Sequence, residues 1–389
     1  MNNTQIVNTS MINRRNSQNT RIVNTRFFID NNINKTALIN TKTFVSKPQL
    51  SSRIKVIRGK HLINDTNNIR ENTKLKIYSS LNKKKNNIYI KNKIDEGSYN
   101  SIYKFSNSMS GDINTHKIIR ISDKITDSAN MVRERKGIEK QYKFSKTCKN
   151  IGSILDYGNI SLKHNILLDY SIMPHYNISL KTFLDRKPNY INLIPVLKFM
   201  EKLLKTIYFI HSKGYAHLDL KPSNILLTNT VDFENPIKRI DFVIIDFGAT
   251  KKFLNDKSKL IKKQMASAAF SPPELLKRYF GKKSDIWSFG IISYLMLVRM
   301  FFFEANANKI FLDTDKLRLA NKIKHHISIL KKTIKPCGMN SKTFSKYLKP
   351  FKHSDITQLI LFFDKIFNVS YKKRANTEEL LADSLFTLI

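Results

Sequence analysis

Four side chains in two short segments have the types and spacing for phosphate chemistry: Asp219, Lys221 and Asn224 in HLDLKPSN (217–224), and Asp246 in VIIDFGAT (243–250). Two carboxylates and an amide offer oxygen ligands to a hard divalent cation, and a neighbouring ammonium attracts phosphate oxygens. Burying such groups is costly unless they are paired, yet apolar runs flank both segments. Pro222 and the polar alternation rule out one continuous helix. The first segment therefore reads as a loop between a helix at about 192–213 and a short strand, NILL. The second acid ends another apolar strand.

Those loops need a scaffold. Short β-like runs, NIYI, SIYKF and HKIIRIS, begin at about residue 88 and lead into a helical stretch. Larger amphipathic helices fill the chain from about 192 onward. Strands first and helices later predict an α+β, bilobal fold with a small β-rich N-lobe (about 88–173) and a larger helical C-lobe (about 177–389). Residues 1–87 are basic and Asn-rich, hold only Asp30, Asp65 and Glu71 as acids, and lack sustained periodicity, which predicts a disordered extension. IVNT occurs at 6–9 and again at 22–25, too short a copy to build a repeat, and an organelle address in this leader stays open.

Composition bounds the rest. Lys and Arg outnumber Asp and Glu by 68 to 30, a formal charge of +38. Such a field draws polyanions, so acidic protein or nucleic acid is an expected partner; an AT-rich coding sequence would also inflate Lys, Asn and Ile together. No apolar run reaches membrane-span length, and two cysteines, Cys148 and Cys337, make neither a disulfide framework nor a metal motif. These features predict a protein of the cytoplasm or nucleus.

Taken in order and at this spacing, HLDLKPSN and VIIDFGAT resemble the catalytic loop and metal-binding triplet of the eukaryotic-type protein kinase superfamily, serine/threonine branch. The resemblance extends over about 88–385: SPPELL supplies Pro273 and Glu274, SDIWSFG supplies Asp285 and Trp287, and Arg374 stands where the family pairs an Arg with that Glu. It implies ATP with Mg²⁺ or Mn²⁺, and protein Ser/Thr hydroxyls as substrates. Asp219 would accept the hydroxyl proton, Lys221 would steady the transferring phosphate, and Asn224 and Asp246 would hold the metal. Lys221 itself, and Ser267 in MASAAF, point to the Ser/Thr branch. The degenerate glycine loop, composition and basicity resemble kinases carried by large DNA viruses, which would place the protein in a host cell or virion.

The ATP side departs from the family pattern. In IDEGSYNSIYK only Gly97 remains of three expected glycines, with Asp95 and Asn100 in the other places. Ile94, Ile102, Thr115 and Leu226 would sandwich the adenine; Met173, Pro174 and Tyr176 would form the hinge. For the strand lysine that grips the α- and β-phosphates, Lys117 and Arg120 compete; distance from the loop and the compact ammonium favour Lys117. Glu134 is preferred to Glu139 as its helix partner, because Glu139 would bury Lys143 where Glu134 buries Ile138. Leu218 replaces the Arg that reads a loop phosphate in many relatives, which predicts activity without that phosphate; six loop lysines between 251 and 263 form a solvated face or recruit acidic substrates. Two other readings remain, a pseudokinase scaffold and a basic nucleic-acid-associated protein on a kinase fold.

Overall fold

The computed structural model describes residues 69–97, 99–125, 127–162, 167–186, 193–229, 238–254, 258–259, 268–276, 278–300, 317–318, 321 and 353–389. Ser267, Lys257, Lys262, Lys263 and residues 1–68 of the leader lie outside them. The chain divides into two compact units, and the larger, Arg70–Asn159 with Asp169–Ile389, carries every side-chain contact described below.

Six strands come first among the described elements: β1 (Lys74–Ser79), β2 (Lys85–Glu96), β3 (Ser101–Ser106), β4 (Lys117–Ile121), then, after helix α1 (Ser128–Ser145), β5 (Asp156–Ser161) and β6 (Leu167–Pro174). They close into a barrel in the order β1-β2-β3-β4-β6-β5. Strict alternation builds it: Leu75 and Ile77 on β1 and Ile88 and Ile90 on β2 are buried, while their sequence neighbours face outward. Where β1 meets β5, a Cβ on Gly158 would stand 2.0 Å from the Tyr78 carbonyl oxygen, so only glycine allows that approach. Ser79 Oγ and Tyr170 O–H both donate to Asp156 at the same seam, at 2.6 and 2.9 Å. β1 lies wholly inside the stretch whose composition predicts disorder. The low-complexity tally of 1–87 averages over a two-periodic run too short to stand out.

The remainder is mainly helical: β7 (Ile178–Ser179), α2 (Leu180–Asp185), α3 (Leu193–Ser212), β8 (Tyr215–Ala216), β9 (Ile225–Leu227), β10 (Phe242–Ile244), β11 (Lys251–Lys252), α4 (Lys282–Met300), α5 (His353–Ile366) and α6 (Thr377–Leu381). α3 buries Val196, Leu197, Phe199, Met200, Leu203, Leu204, Ile207 and Ile210 against Trp287, Phe289 and Ile291 of α4 and Phe362 and Phe363 of α5. At about 1.5–3 kcal/mol per fully buried large apolar side chain, this cluster is the main stabilising mass. The loops of interest leave from it on β8, β9 and β10, with β9 between β7 and β10 and β8 paired to β11.

Candidate active site

The loop 217–224 is shaped by a buried acid beneath it. Asp285 accepts the amide N–H groups of His217 and Leu218, each at 2.8 Å, and lies 2.9 Å from His211 Nε2. These bonds hold Leu218 at φ 66°, a left-handed conformation that costs a non-glycine residue about 1 kcal/mol. Burial pushes the His217 pKa down, and the neutral ring accepts from the Asp219 N–H at Nδ1 while its Nε2 stands 3.3 Å from the Ile245 carbonyl. Asp219 is thereby turned toward Lys221 and Asn224: Lys221 Nζ donates to Asp219 Oδ2 at 2.8 Å, and Asn224 Nδ2 donates to the Asp219 carbonyl at 2.8 Å and to Oδ2 at 3.2 Å.

Asp246 arrives from β10 through a second left-handed residue, φ 66°, with its Oδ1 accepting the Gly248 N–H at 3.3 Å. The Ile245 amide donates to the Asn224 carbonyl at 2.9 Å, tying the two segments together. Burial alone would raise the Asp246 carboxyl, but Arg120, the Gly248 N–H and Lys221 outweigh it and hold it below the usual carboxylate range. Asn224 spends its Nδ2 on Asp219, and no donor among the described residues takes its Oδ1. A carboxylate and a free amide oxygen suit Mg²⁺, which shares its shell with substrate phosphates and water rather than needing a protein cage. No group of three or more His, Cys, Asp or Glu gathers as a metal cage among the described residues.

On the other side, the structure departs from one expectation, the strand lysine. Lys117 is exposed at the first position of β4, opposite Pro174 on β6, and does not reach the cluster. Arg120 does: its Nη2 lies 2.8 Å from Glu134 Oε1 and 3.7 Å from Asp246 Oδ2, with the side chains of Arg120 and Glu134 only 11% and 8% exposed. Counting from the glycine loop misplaces the cation because the turn 107–116 between β3 and β4 is long. The strand's own pattern was the better signal, since buried Ile119 and Ile121 enclose Arg120 and leave Lys117 at the end. By the same slip Thr115 is exposed outside the strand, whereas Ile118, paired with Met173, sits in an apolar group with Ile102, Ile138 and Ile154.

Glu134 comes from α1, and burial pushes its carboxyl up against the pull of Arg120. The helix holds Glu134 through contacts that sequence reasoning missed. A Cβ on Gly137 would lie 2.7 Å from the Gly248 nitrogen and Cα, so α1 packs backbone to backbone on the turn after Asp246. Gln141 Oε1 accepts the Asp246 N–H at 3.0 Å while its Nε2 donates to the Gly152 carbonyl at 2.9 Å. Arg133 Nε donates to the Gly248 carbonyl at 2.9 Å, and Lys140 Nζ to the Thr250 carbonyl at 3.1 Å. A glycine and a glutamine inside a helix carry no motif, which hid them. Phe247 packs on Phe144 and His217, with ring centroids 5.7 and 4.8 Å apart.

Of the other expected contacts, Met173 is buried, Ile102, Pro174, Tyr176 and Leu226 are half-buried, and Ile94 and Gly97 are exposed. Lys124 Nζ donates to the Gly97 carbonyl at 3.2 Å and pairs with Glu96 at 2.9 Å, tethering the loop. Asp95 is exposed and caps the Glu96 N–H at 2.8 Å. Leu218 packs among Ala216, Ala249, Leu275, Phe280 and Phe253, an apolar group where a phosphate reader would need charge. Farther away, Arg374 makes a two-pronged bond to buried Glu274, Nη1 to Oε1 at 2.7 Å and Nη2 to Oε2 at 3.0 Å, matching the expected pair.

Over residues 88–386 the chain matches the protein kinase domain family, and it belongs to that family. It is 38% identical over 100 residues to the CDPK-related kinase 7 of Arabidopsis thaliana, covering 26% of this chain and 16% of that protein. Over 101 residues it is 40% identical to the serine/threonine-protein kinase chk1 of Schizosaccharomyces pombe, 26% of this chain and 18% of that one. A probable cyclin-dependent serine/threonine-protein kinase of Dictyostelium discoideum is 29% identical over 223 residues, 57% of this chain and 14% of that protein. The matches thus span less than a fifth of each relative's own length. No described helix is long and apolar enough to cross a membrane.

Proposed function

We propose that the chain is an active serine/threonine protein kinase. The substrate hydroxyl oxygen attacks the γ-phosphorus of ATP, the bond to the β–γ bridging oxygen breaks, ADP leaves, and Asp219 takes the hydroxyl proton. Lys221, already on Asp219 Oδ2 at 2.8 Å, would steady the transferring phosphoryl oxygens. Magnesium would neutralise charge on the ATP phosphates, with Asn224 Oδ1 and Asp246 as its protein ligands. Arg120, in place of Lys117, would meet the α- and β-phosphates, with Glu134 setting its direction. Met173, Pro174, Tyr176, Ile102 and Leu226 would receive the adenine, joined by Ile118. The observation that carries this reading is the bonded set Asp219–Lys221–Asn224 facing Asp246, since a fold kept only as a scaffold has no use for it.

The apolar packing of Leu218 supports activity without loop phosphorylation. Transfer of labelled phosphate from ATP by mass-verified unphosphorylated protein, followed by phosphoamino-acid analysis, tests both points. Label on Ser or Thr that Asp219→Asn abolishes is the expected result; protein inert until an upstream kinase is added would contradict phosphate independence, and label on Tyr would contradict the substrate class. A second reading, a nucleotide-binding scaffold, draws on Arg120 standing where the family has Lys and on the single glycine of the phosphate loop. It predicts ATP binding with no transfer by wild type.

A further inference from the structure

The family match begins at residue 88, inside β2, so β1 lies outside it and nothing in phosphotransfer calls for that strand. Asn72–Lys93 holds seven lysines and no Asp or Glu. Lys91 is spent on Asn72 Oδ1 and the Met109 carbonyl, and Lys93 on Glu96. Lys74, Lys76, Lys83, Lys84 and Lys85 are all exposed, and none forms an ion pair among the described residues.

Register turns this charge into a surface. Lys74 stands opposite Tyr89, Lys76 opposite Asn87 and Tyr78 opposite Lys85. Because Leu75, Ile77, Ile88 and Ile90 point inward, alternation puts all six on the outer face. Both tyrosines are half-buried, with Lys74 Nζ 5.9 Å from the Tyr89 ring centroid. A face kept for solubility alone mixes both signs of charge. This one gathers cations around two aromatic rings, the combination that tracks a phosphate backbone while bases stack.

The geometry points to the β1–β2 face as a docking surface for single-stranded nucleic acid. None of its residues belongs to the nucleotide site, so the proposal stands apart from the kinase reading.

Fluorescence anisotropy of the full chain with a labelled oligothymidylate of about 16 nucleotides, across a salt series, tests it. The combined variant Lys74→Gln, Lys76→Gln, Lys85→Gln is expected to bind at least tenfold more weakly, its slope of log K against log salt reduced by about 2, three lost contacts at ~0.7 each. Tyr78→Leu with Tyr89→Leu is expected to weaken binding about tenfold with the slope unchanged. Unaltered transfer from ATP, or an unaltered thermal midpoint should wild type transfer none, shows that each variant is folded. Wild-type affinity and slope in the lysine variant would overturn the proposal. Indifference to the tyrosines, or equal competition by duplex or by polyglutamate, would also overturn it in favour of a general polyanion surface.

Discussion

The two sides of the proposed nucleotide site are built differently. On one side, residues 217–224 and 246 fall in two short motifs, and their backbone turns are held by hydrogen bonds: buried Asp285 below the loop, the Ile245 amide on the Asn224 carbonyl, and the Asp246 Oδ1 on the Gly248 N–H. On the other, Arg120 and Glu134 come from a strand and a helix separated by a turn, and their positions depend on how α1 seats against the segment after Asp246. The first is marked locally, by short sequence motifs; the second only by packing between elements. Of the departures from the family, Arg120, the single Gly97 and Asp95 lie on the second and Leu218 on the first.

The largest expected effect falls on the local side. Asp219→Asn removes the proposed proton acceptor and should lower kcat by about 10²–10⁴-fold with little change in the thermal midpoint. Steady-state kinetics beside a melting curve will check it; a kcat within tenfold of wild type would mean that another group is the base.

The next tests the packed side. Arg120→Met leaves two carboxylates, Glu134 and Asp246, without their buried cation, and should cost about 3–5 kcal/mol of stability along with activity. Lys117→Met, at an exposed strand end, should stay within about 0.5 kcal/mol and retain transfer. Denaturant titration of both variants decides between the two cations, and equal losses would erase the distinction drawn above.

Gly137→Ala sharpens the same contrast. In an isolated helix alanine is favoured by about 1 kcal/mol, yet here its methyl would meet Gly248 backbone at 2.7 Å. A net loss of about 1–3 kcal/mol, with faster amide exchange over 246–250, is expected. A stabilised variant with native exchange would show that α1 does not need that seat.

The smallest effect is electrostatic. Burial first, then Lys251, Lys136 and Arg133, with only Glu139 opposing, push Lys140 down to about 8 from 10.5. Between those values the unfolded chain holds more protons, so stability should climb as pH rises from about 8 toward 10.5. Lys140→Met should therefore gain on the order of 1 kcal/mol at pH 7, after allowing for solvent screening, and the gain should vanish above pH 10.5. Unfolding free energies of wild type and variant across that pH range will reveal it.

This contrast also explains what the sequence disclosed. Asp219, Lys221, Asn224 and Asp246 could be read because each falls in one of two short motifs, 217–224 and 243–250, and the strands and long helices because their periods of 2 and 3.6 are plain. Glu134 emerged from a burial argument about Ile138 and Lys143. Arg120 was passed over because spacing was counted across a turn whose length is not fixed by the strands, while burial of its isoleucine neighbours would have chosen it. β1 escaped notice because two buried positions, Leu75 and Ile77, are a weak signal inside a long polar leader. Gln141 and Gly137 act through contacts to residues more than a hundred positions away, which no local pattern records.

Calorimetric titration of the full chain with ATP, with and without Mg²⁺, against Asp246→Asn, tests the central claim most directly. The account predicts heat that requires the metal and is lost or greatly weakened in the variant. No heat from wild type, or the same metal-independent heat from both, would contradict a nucleotide site built on Asn224 and Asp246.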